Sequence, residues 1–149
     1  MDLFERISED IKAAMKARDK VRLDTLRNVK KVFLEAKTAP GANDTLADAD
    51  ALKIIQKLAK QGKETAQTYI DNGRQDLADG ELAQVSVLEE YLPKQLSEAE
   101  IEERVKSIIT ETGASSMKDM GRVMGLASKQ LAGQADGKLV SEVVKRLLA

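Results

Sequence analysis

The sequence predicts an all-α protein built from two helical parts, and three features lead to this prediction. Apolar residues recur at the three- and four-residue spacing of an amphipathic helix, and no stretch alternates as a half-buried strand does. Residues that start and stop helices separate these stretches. Aromatic residues make up only 3% of the chain against 42% hydrophobic residues overall, so the core of this globular chain must be aliphatic.

The two parts are expected to meet at Pro93. This residue lacks an N–H and disfavours the α conformation at Leu92, so the preceding helix should end there. Ser97 can start the next helix, because its hydroxyl accepts from the N–H of Glu100 and the Glu100 carboxylate can return the bond. We therefore predict an N-terminal assembly of about four helices at residues 1–92 and a C-terminal three-helix domain at residues 93–149, joined at a Pro-containing hinge.

Start and stop signals divide residues 1–92 into helices. Capping boxes of Asp2 with Glu5 and of Thr45 with Asp48 are expected to start helices. A charged break at residues 18–20, a loop at residues 37–43 and a stop at Asn72-Gly73 are expected to interrupt or end them. The break at residues 18–20 separates two helices or lies within one long helix. Met15 and Leu82 are expected to face inward. Gly62 lies inside the third helix, where it lowers helix stability by up to about 1 kcal/mol relative to Ala and is expected to loosen it.

The second part contains three shorter helices. Gly113 is expected to end the fifth helix, Ser116 with Asp119 to start the sixth, and Gly133 to end it. Asp136 is the expected N-cap of the seventh. Its neighbour Lys138 offers an alternative interpretation, in which the free N–H groups of this helix start and the lysine hold a phosphate.

The composition excludes several classes of chemistry. The chain has no cysteine and no histidine, which removes disulfides, thiolate nucleophiles, Ser-His-Asp triads and the usual zinc ligands. No cofactor or metal is expected. No apolar run approaches the roughly 20 residues of a membrane span, and the acidic N-terminus does not resemble a signal peptide. A cytoplasmic protein without membrane contact is the expectation.

Charge is unevenly distributed along the chain. The net charge is −1, yet residues 112–149 hold six Lys/Arg against three Asp/Glu, and residues 39–92 hold five against ten. The basic C-terminal stretch is therefore the better candidate for an anionic partner.

The sixth helix combines three adjacent stripes. One is apolar: Met117, Met120, Met124, Ala127 and Leu131. The next is small: Gly121, Gly125, Ser128 and Ala132. The last is basic: Lys118, Arg122 and Lys129. The methionines are expected to pack in the core. The glycines allow either close packing of another helix or close approach of a sugar–phosphate backbone steered by the cations. Taken alone, the basic stripe is equally typical of a solvent-exposed helix face with no ligand.

Two further residues invite a structural explanation. Tyr91 is expected to bury its ring at the joint and keep its hydroxyl in water. Arg74 is expected to bond back to the carbonyl groups at the end of the third helix.

An ordered set of short motifs resembles the GatB/YqeY family over essentially the whole chain. The matching segments are Thr25-Leu26-Arg27, Lys57-Leu58-Ala59-Lys60-Gln61, Gly73-Arg74-Gln75-Asp76-Leu77, Tyr91-Leu92-Pro93-Lys94-Gln95-Leu96-Ser97, Gly113-Ala114-Ser115-Ser116, Met120-Gly121-Arg122-Val123-Met124 and Ala135-Asp136-Gly137-Lys138. Gly62 and Gln84 depart from the family's usual polar residue and glutamate at these positions. The resemblance implies a helical protein similar to the tail of the GatB subunit of glutamine-dependent tRNA amidotransferase, the part of that subunit that handles tRNA.

Three hypotheses about function follow. The first is a tRNA-binding accessory module without catalytic activity, with Lys118, Gly121, Arg122, Gly125, Lys129 and Lys138 as the candidate RNA-binding residues. The second is participation in glutamine-dependent amidation of aminoacyl-tRNA, a carbon–nitrogen ligase reaction for which we identify no nucleophile. The third is a protein–protein adaptor whose acidic residues 39–92 dock on an aminoacyl-tRNA synthetase or another translation protein. Since the chain has no aromatic platform for unpaired bases, RNA recognition would use shape and backbone.

Overall fold

The chain folds into seven α-helices and one short 3₁₀ turn in a computed structural model that describes residues 1–149, and the all-α prediction is confirmed. The helices are α1 (Leu3–Ala17), α2 (Lys20–Lys37), α3 (Asp48–Asp71), α4 (Gln75–Glu89), α5 (Glu98–Thr112), α6 (Met120–Gln130) and α7 (Gly137–Leu148). They form two compact units, Met1–Leu92 and Pro93–Ala149. No helix is both long and apolar enough to cross a membrane.

The N-terminal unit buries an almost entirely aliphatic core between α1, α2, α3 and α4. Its buried members are Leu3, Ile7, Leu26, Val29, Phe33, Ala51, Ile55, Ala59, Val85, Val87, Leu88 and Tyr91. The predicted inward positions of Met15 and Leu82 are wrong, because these side chains are 52% and 39% exposed. Ala14 and Val87 are buried as well, alongside Leu3 and Ile7 of α1 and Val85 and Leu88 of α4.

The start of α1 has the predicted capping box, whereas the start of α3 does not. Asp2 and Glu5 form the predicted capping box, with the Glu5 N–H donating to Asp2 at 2.8 Å. The Thr45 capping box is wrong, since α3 begins at Asp48 with Ala47 at its N-cap. The Asp48 carboxylate instead accepts a 2.9 Å hydrogen bond from the N–H of Leu3. The carboxylate expected to take part in a local capping box therefore makes a tertiary contact with the start of α1.

The charged break at residues 18–20 separates two helices. Arg18 takes the left-handed conformation, with φ of 56°, and Asp19 caps α2 by accepting from the N–H of Arg22. The first of the two alternatives is therefore the observed one.

Gly62 lies at a point where α3 packs closely against α4. A β-carbon added there would lie 2.6 Å from Cγ2 of Val85, a side chain that is only 3% exposed. Gly62 therefore has a packing role in addition to its expected effect on the stability of α3. Its missing side chain lets the two helices pack together.

The C-terminal unit packs α5, α6 and α7 around a second aliphatic core. Its buried members are Ile101, Val105, Ile108, Val123, Ala127, Leu131, Val140, Val143, Val144 and Leu148. Ser97 and Glu100 form the predicted capping box at the start of α5. The segment before α5 is fixed by two bonds, from the Leu96 N–H to the Gln134 carbonyl at 2.9 Å and from the Gln95 amide to the Gly133 carbonyl at 2.7 Å.

Candidate nucleic-acid interface

The sixth helix begins one turn later than the sequence predicts. Ser116 caps a 3₁₀ turn, Met117–Asp119, and α6 follows from Met120. The buried face of α6 is formed by Val123 and Ala127. Met117 is 46% exposed, so its predicted place in the core is wrong. The rest of the predicted apolar stripe does face the core, since Met120 and Met124 pack against it and Ala127 and Leu131 are buried within it, and Val123 adds to this face.

The small-residue side of α6 faces away from the core. Gly121, Gly125, Ser128 and Ala132 are all exposed. A β-carbon built on Gly121 or Gly125 would meet no atom within 4 Å. Packing of another helix within this unit therefore does not explain the two glycines, which weaken α6 without serving the core.

Arg122 is fixed by contacts within the unit. Its guanidinium donates to the carbonyl oxygen of Thr112 over 3.1 Å and pairs with Asp119 over 3.4 Å. Thr112 is the last residue of α5, where carbonyl groups lack helical partners and the helix dipole favours a cation. Arg122 therefore joins α6 to the end of α5 while half of its side chain stays exposed.

The lysines of the candidate interface differ from Arg122. Lys118 and Lys129 are exposed, and neither ammonium group makes a salt bridge. Lys129 lies four residues after Gly125, so the two share one side of α6. This places an uncompensated cation beside the open glycine surface.

Lys138 lies apart from these residues, at the start of α7. Asp136 caps that helix by accepting from the Lys138 N–H at 3.4 Å, which confirms its predicted capping role. Because the Asp136 carboxylate occupies this N–H, the phosphate-binding interpretation of the helix start is weakened. No contact joins Lys138 to the cations of α6.

Tyr91 buries its ring as predicted, but its hydroxyl does not have the expected water as its partner. The Tyr91 hydroxyl donates to Asp10 over 2.5 Å rather than to water, and the Arg6 guanidinium lies 4.6 Å from the centre of its ring. Burial and this hydrogen bond raise the pKa of Tyr91. Arg74 bonds back to the end of α3 as predicted, through its backbone N–H, which donates to the Tyr69 carbonyl oxygen over 2.8 Å. Its side chain pairs with Asp76 at 3.2 Å, and this lowers the pKa of Asp76.

The N-terminal unit also contains a polar cleft between α2, α3 and α4. Its volume is about 160 Å³, and its walls are Thr25, Asn28, Leu58, Gln61, Gly62, Thr65, Glu81, Gln84, Val85 and Leu88. The cleft brings together parts of two motifs that are far apart in the sequence. No group of three or more acidic side chains that could hold a metal ion occurs in either unit.

The family model described as Yqey-like protein matches residues 4–148. The chain belongs to the YqeY family. The match spans both units, so the resemblance drawn from the ordered motifs is confirmed for the whole chain.

Curated relatives of this YqeY protein fall into two groups. Altered inheritance of mitochondria protein 41, mitochondrial, from Pyrenophora tritici-repentis is 29% identical over 98% of this chain and 81% of its own length. The protein of the same name from Vanderwaltozyma polyspora is 30% identical over 76% of this chain and 64% of its own length. A subunit of glutamyl-tRNA(Gln) amidotransferase from Thermococcus gammatolerans is 31% identical over 65% of this chain, but the match spans only 16% of the length of that relative.

Proposed function

We propose that this YqeY protein binds tRNA through the exposed side of α6 and acts as an accessory module without a catalytic centre of its own. The observation that carries the proposal is the open surface at Gly121 and Gly125, which no side chain covers. Lys118 and Lys129 supply positive charge at this surface. A cytoplasmic location is part of the same proposal.

Physical chemistry favours a folded RNA as the ligand of this surface. The phosphate backbone supplies a dense negative charge, and lysines without carboxylate partners can neutralise it by releasing counterions. Glycines allow a backbone to come closer to the helix than larger side chains would. Since α6 displays no exposed aromatic ring, recognition would depend on the shape and phosphates of the tRNA rather than on stacked bases.

One of the relatives supports the proposed binding of tRNA. The name of the Thermococcus gammatolerans relative describes part of an enzyme that acts on glutamyl-tRNA(Gln), and its match to this chain covers a small share of its length. A module that is shared with such a protein is expected to contribute binding. Within this proposal Arg122 supports the surface by holding α6 against α5, and Lys138 provides a separate cation on α7.

Binding to bulk tRNA at two salt concentrations tests the proposal. The test variant is Lys118→Gln/Lys129→Gln, and the matched control is Lys106→Gln/Lys145→Gln, which removes the same charge from the same unit. We expect the wild type and the control to bind in a salt-sensitive manner. The test variant should bind tRNA more weakly. Its plot of log affinity against log salt concentration should also be less steep, by about one unit of slope for each phosphate that is no longer neutralised. Equal affinities of the two variants would refute the proposed surface.

A further inference from the structure

A second group of cations without carboxylate partners lies on α2 of the N-terminal unit. Residues 27–38 contain four Lys/Arg and a single acid, Glu35. The four cations are Arg27, Lys30, Lys31 and Lys37, and we call them the α2 basic face. Three of them, with Leu34, Glu35 and Thr38, line one shallow surface depression.

Some of the other cations in this unit are paired with carboxylates. Examples are Arg6 with Asp10, Lys12 with Glu9, Arg22 with Asp19 and Glu90, Lys63 with Glu89, and Arg74 with Asp76. No member of the α2 basic face makes a salt bridge. Arg27 and Lys31 are four residues apart on one helix, a spacing at which like charges repel and destabilise the helix. The same spacing of exposed lysines occurs at Lys53 and Lys57 of α3. The α2 basic face differs from that pair because its cations line a surface depression and contact the ring of Phe4.

The aromatic ring of Phe4 holds two of these cations in place. The Lys37 ammonium lies 4.1 Å from the ring centre and that of Lys30 lies 5.8 Å from it. A ring attracts a cation without cancelling its charge. Two charges are thus positioned in advance and remain available to an anionic ligand.

We propose that the α2 basic face is a second contact for the phosphate backbone of RNA, separate from the surface on α6. The row from Arg27 to Lys37 extends about 15 Å along the helix, which is enough to face several phosphates of a double-helical stem. A membrane surface fits less well. A helix that lies on a membrane inserts its apolar side, whereas Leu26, Val29 and Phe33 of α2 are buried in the core. Only Leu34 is a large apolar residue exposed among the cations.

This inference rests on the proposed function, because the ligand is again tRNA, and its test uses the full chain. The variant Arg27→Gln/Lys31→Gln removes two charges from the α2 basic face. The control Lys53→Gln/Lys57→Gln removes two exposed charges from α3. Binding of bulk tRNA is measured over a range of salt concentrations, and circular dichroism checks that helix content is kept.

We expect Arg27→Gln/Lys31→Gln to bind more weakly and to lower the magnitude of the salt slope by about two, whereas the α3 control should stay close to the wild type. If the α2 variant matches the α3 control while Lys118→Gln/Lys129→Gln loses affinity, the second contact is refuted and the proposed function stands. The reverse pattern supports the second contact and refutes the surface on α6. If the wild type binds no tRNA at low salt, both are refuted. Vesicles of phosphatidylserine and phosphatidylcholine are tested in parallel, and binding to them in place of tRNA would likewise overturn the RNA assignment.

Discussion

The hydroxyl of Tyr91 donates a 2.5 Å hydrogen bond to the carboxylate of Asp10, which joins the turn after α4 to the middle of α1. Arg6 adds to this contact through its guanidinium, which lies over the ring and 3.8 Å from the same carboxylate. The residues involved come from opposite ends of the N-terminal unit. This cluster therefore fixes the end of α4 against α1.

Replacing Tyr91 with phenylalanine should destabilise the N-terminal unit by about 1–2 kcal/mol. A hydrogen bond to a charged group contributes more than a neutral one, but Asp10 is 38% exposed and can recover water. Thermal or urea unfolding measures the change. The control is Tyr69→Phe, which removes a hydroxyl that makes no hydrogen bond within the chain. Equal stability of the two variants would show that the Tyr91 hydroxyl contributes nothing.

The same contact predicts a pH dependence. Burial, and then the bond to Asp10, raise the pKa of Tyr91 because both favour the neutral phenol. An unfolded tyrosine ionises at about pH 10. The contribution of Tyr91 to folding is therefore complete below that pH and is lost as the pH rises toward the folded pKa.

Absorbance of tyrosinate in a Tyr69→Phe background measures this, because Tyr91 is then the only tyrosine. We expect the folded variant to ionise at higher pH than the same chain in urea. Coincident titration curves would contradict the environment described for Tyr91.

Gly62→Ala should destabilise the N-terminal unit by about 1–3 kcal/mol, although alanine is the better helix former. The new β-carbon would overlap Cγ2 of buried Val85, and a β-branched side chain has little freedom to move aside. The matched control is Gly80→Ala in α4, where a β-carbon meets no atom within 4 Å. The control should gain up to about 1 kcal/mol.

The free energy of unfolding is measured for both glycine variants, and its change from the wild type should have opposite signs in the two. Stabilisation of Gly62→Ala to the same extent as Gly80→Ala would mean that α3 and α4 are not in close contact at this point.

Arg122→Gln should lower the stability of the C-terminal unit by about 0.5–1.5 kcal/mol, the usual net contribution of one hydrogen bond, because the bond to the Thr112 carbonyl is removed. Lys129→Gln should leave stability nearly unchanged, since its ammonium group makes no salt bridge or side-chain hydrogen bond. Thermal unfolding compares the stability of the two variants. It thereby distinguishes Arg122, which supports α6, from Lys129, which is proposed to contact RNA. A loss of stability in Lys129→Gln equal to that in Arg122→Gln would contradict this division.

The sequence was sufficient to predict the elements that depend on local chemistry. Capping at Asp2 and Ser97 and the helix ends at Gly73 and Gly113 are set within a few residues, and the structure has them where they were expected. Seven helices and their order follow from such signals together with periodicity.

The predictions fail where contacts between residues far apart in the sequence determine the local structure. The capping box predicted at Thr45 does not form, and Asp48 accepts from the N–H of Leu3, 45 residues away, instead. Tyr91 finds Asp10 across 81 residues, and Gly62 is explained by Val85 on another helix. Periodicity also leaves the exact orientation of a helix open, so it predicts inward positions for Met15, Leu82 and Met117, which are exposed in the structure.

The candidate interface could be predicted only in part. The neighbouring stripes of α6 are visible in the sequence, since they follow from helical spacing. Whether Gly121 and Gly125 are covered depends on where α5 and α7 pack, and the sequence does not reveal this. The attachment of Arg122 to Thr112 likewise becomes visible only in the folded unit.

Glutamine at Gly121 and Gly125 tests the tRNA surface most directly, because the change adds bulk and leaves the charge unaltered. Gln is a better helix former than Gly, so Gly121→Gln/Gly125→Gln should unfold at the same or a higher temperature. Gly80→Gln serves as the control on α4. If the exposed side of α6 receives the tRNA backbone, the double variant should bind tRNA at least about tenfold more weakly, a free-energy difference of about 1.4 kcal/mol. Wild-type affinity in a stable double variant would contradict the proposal.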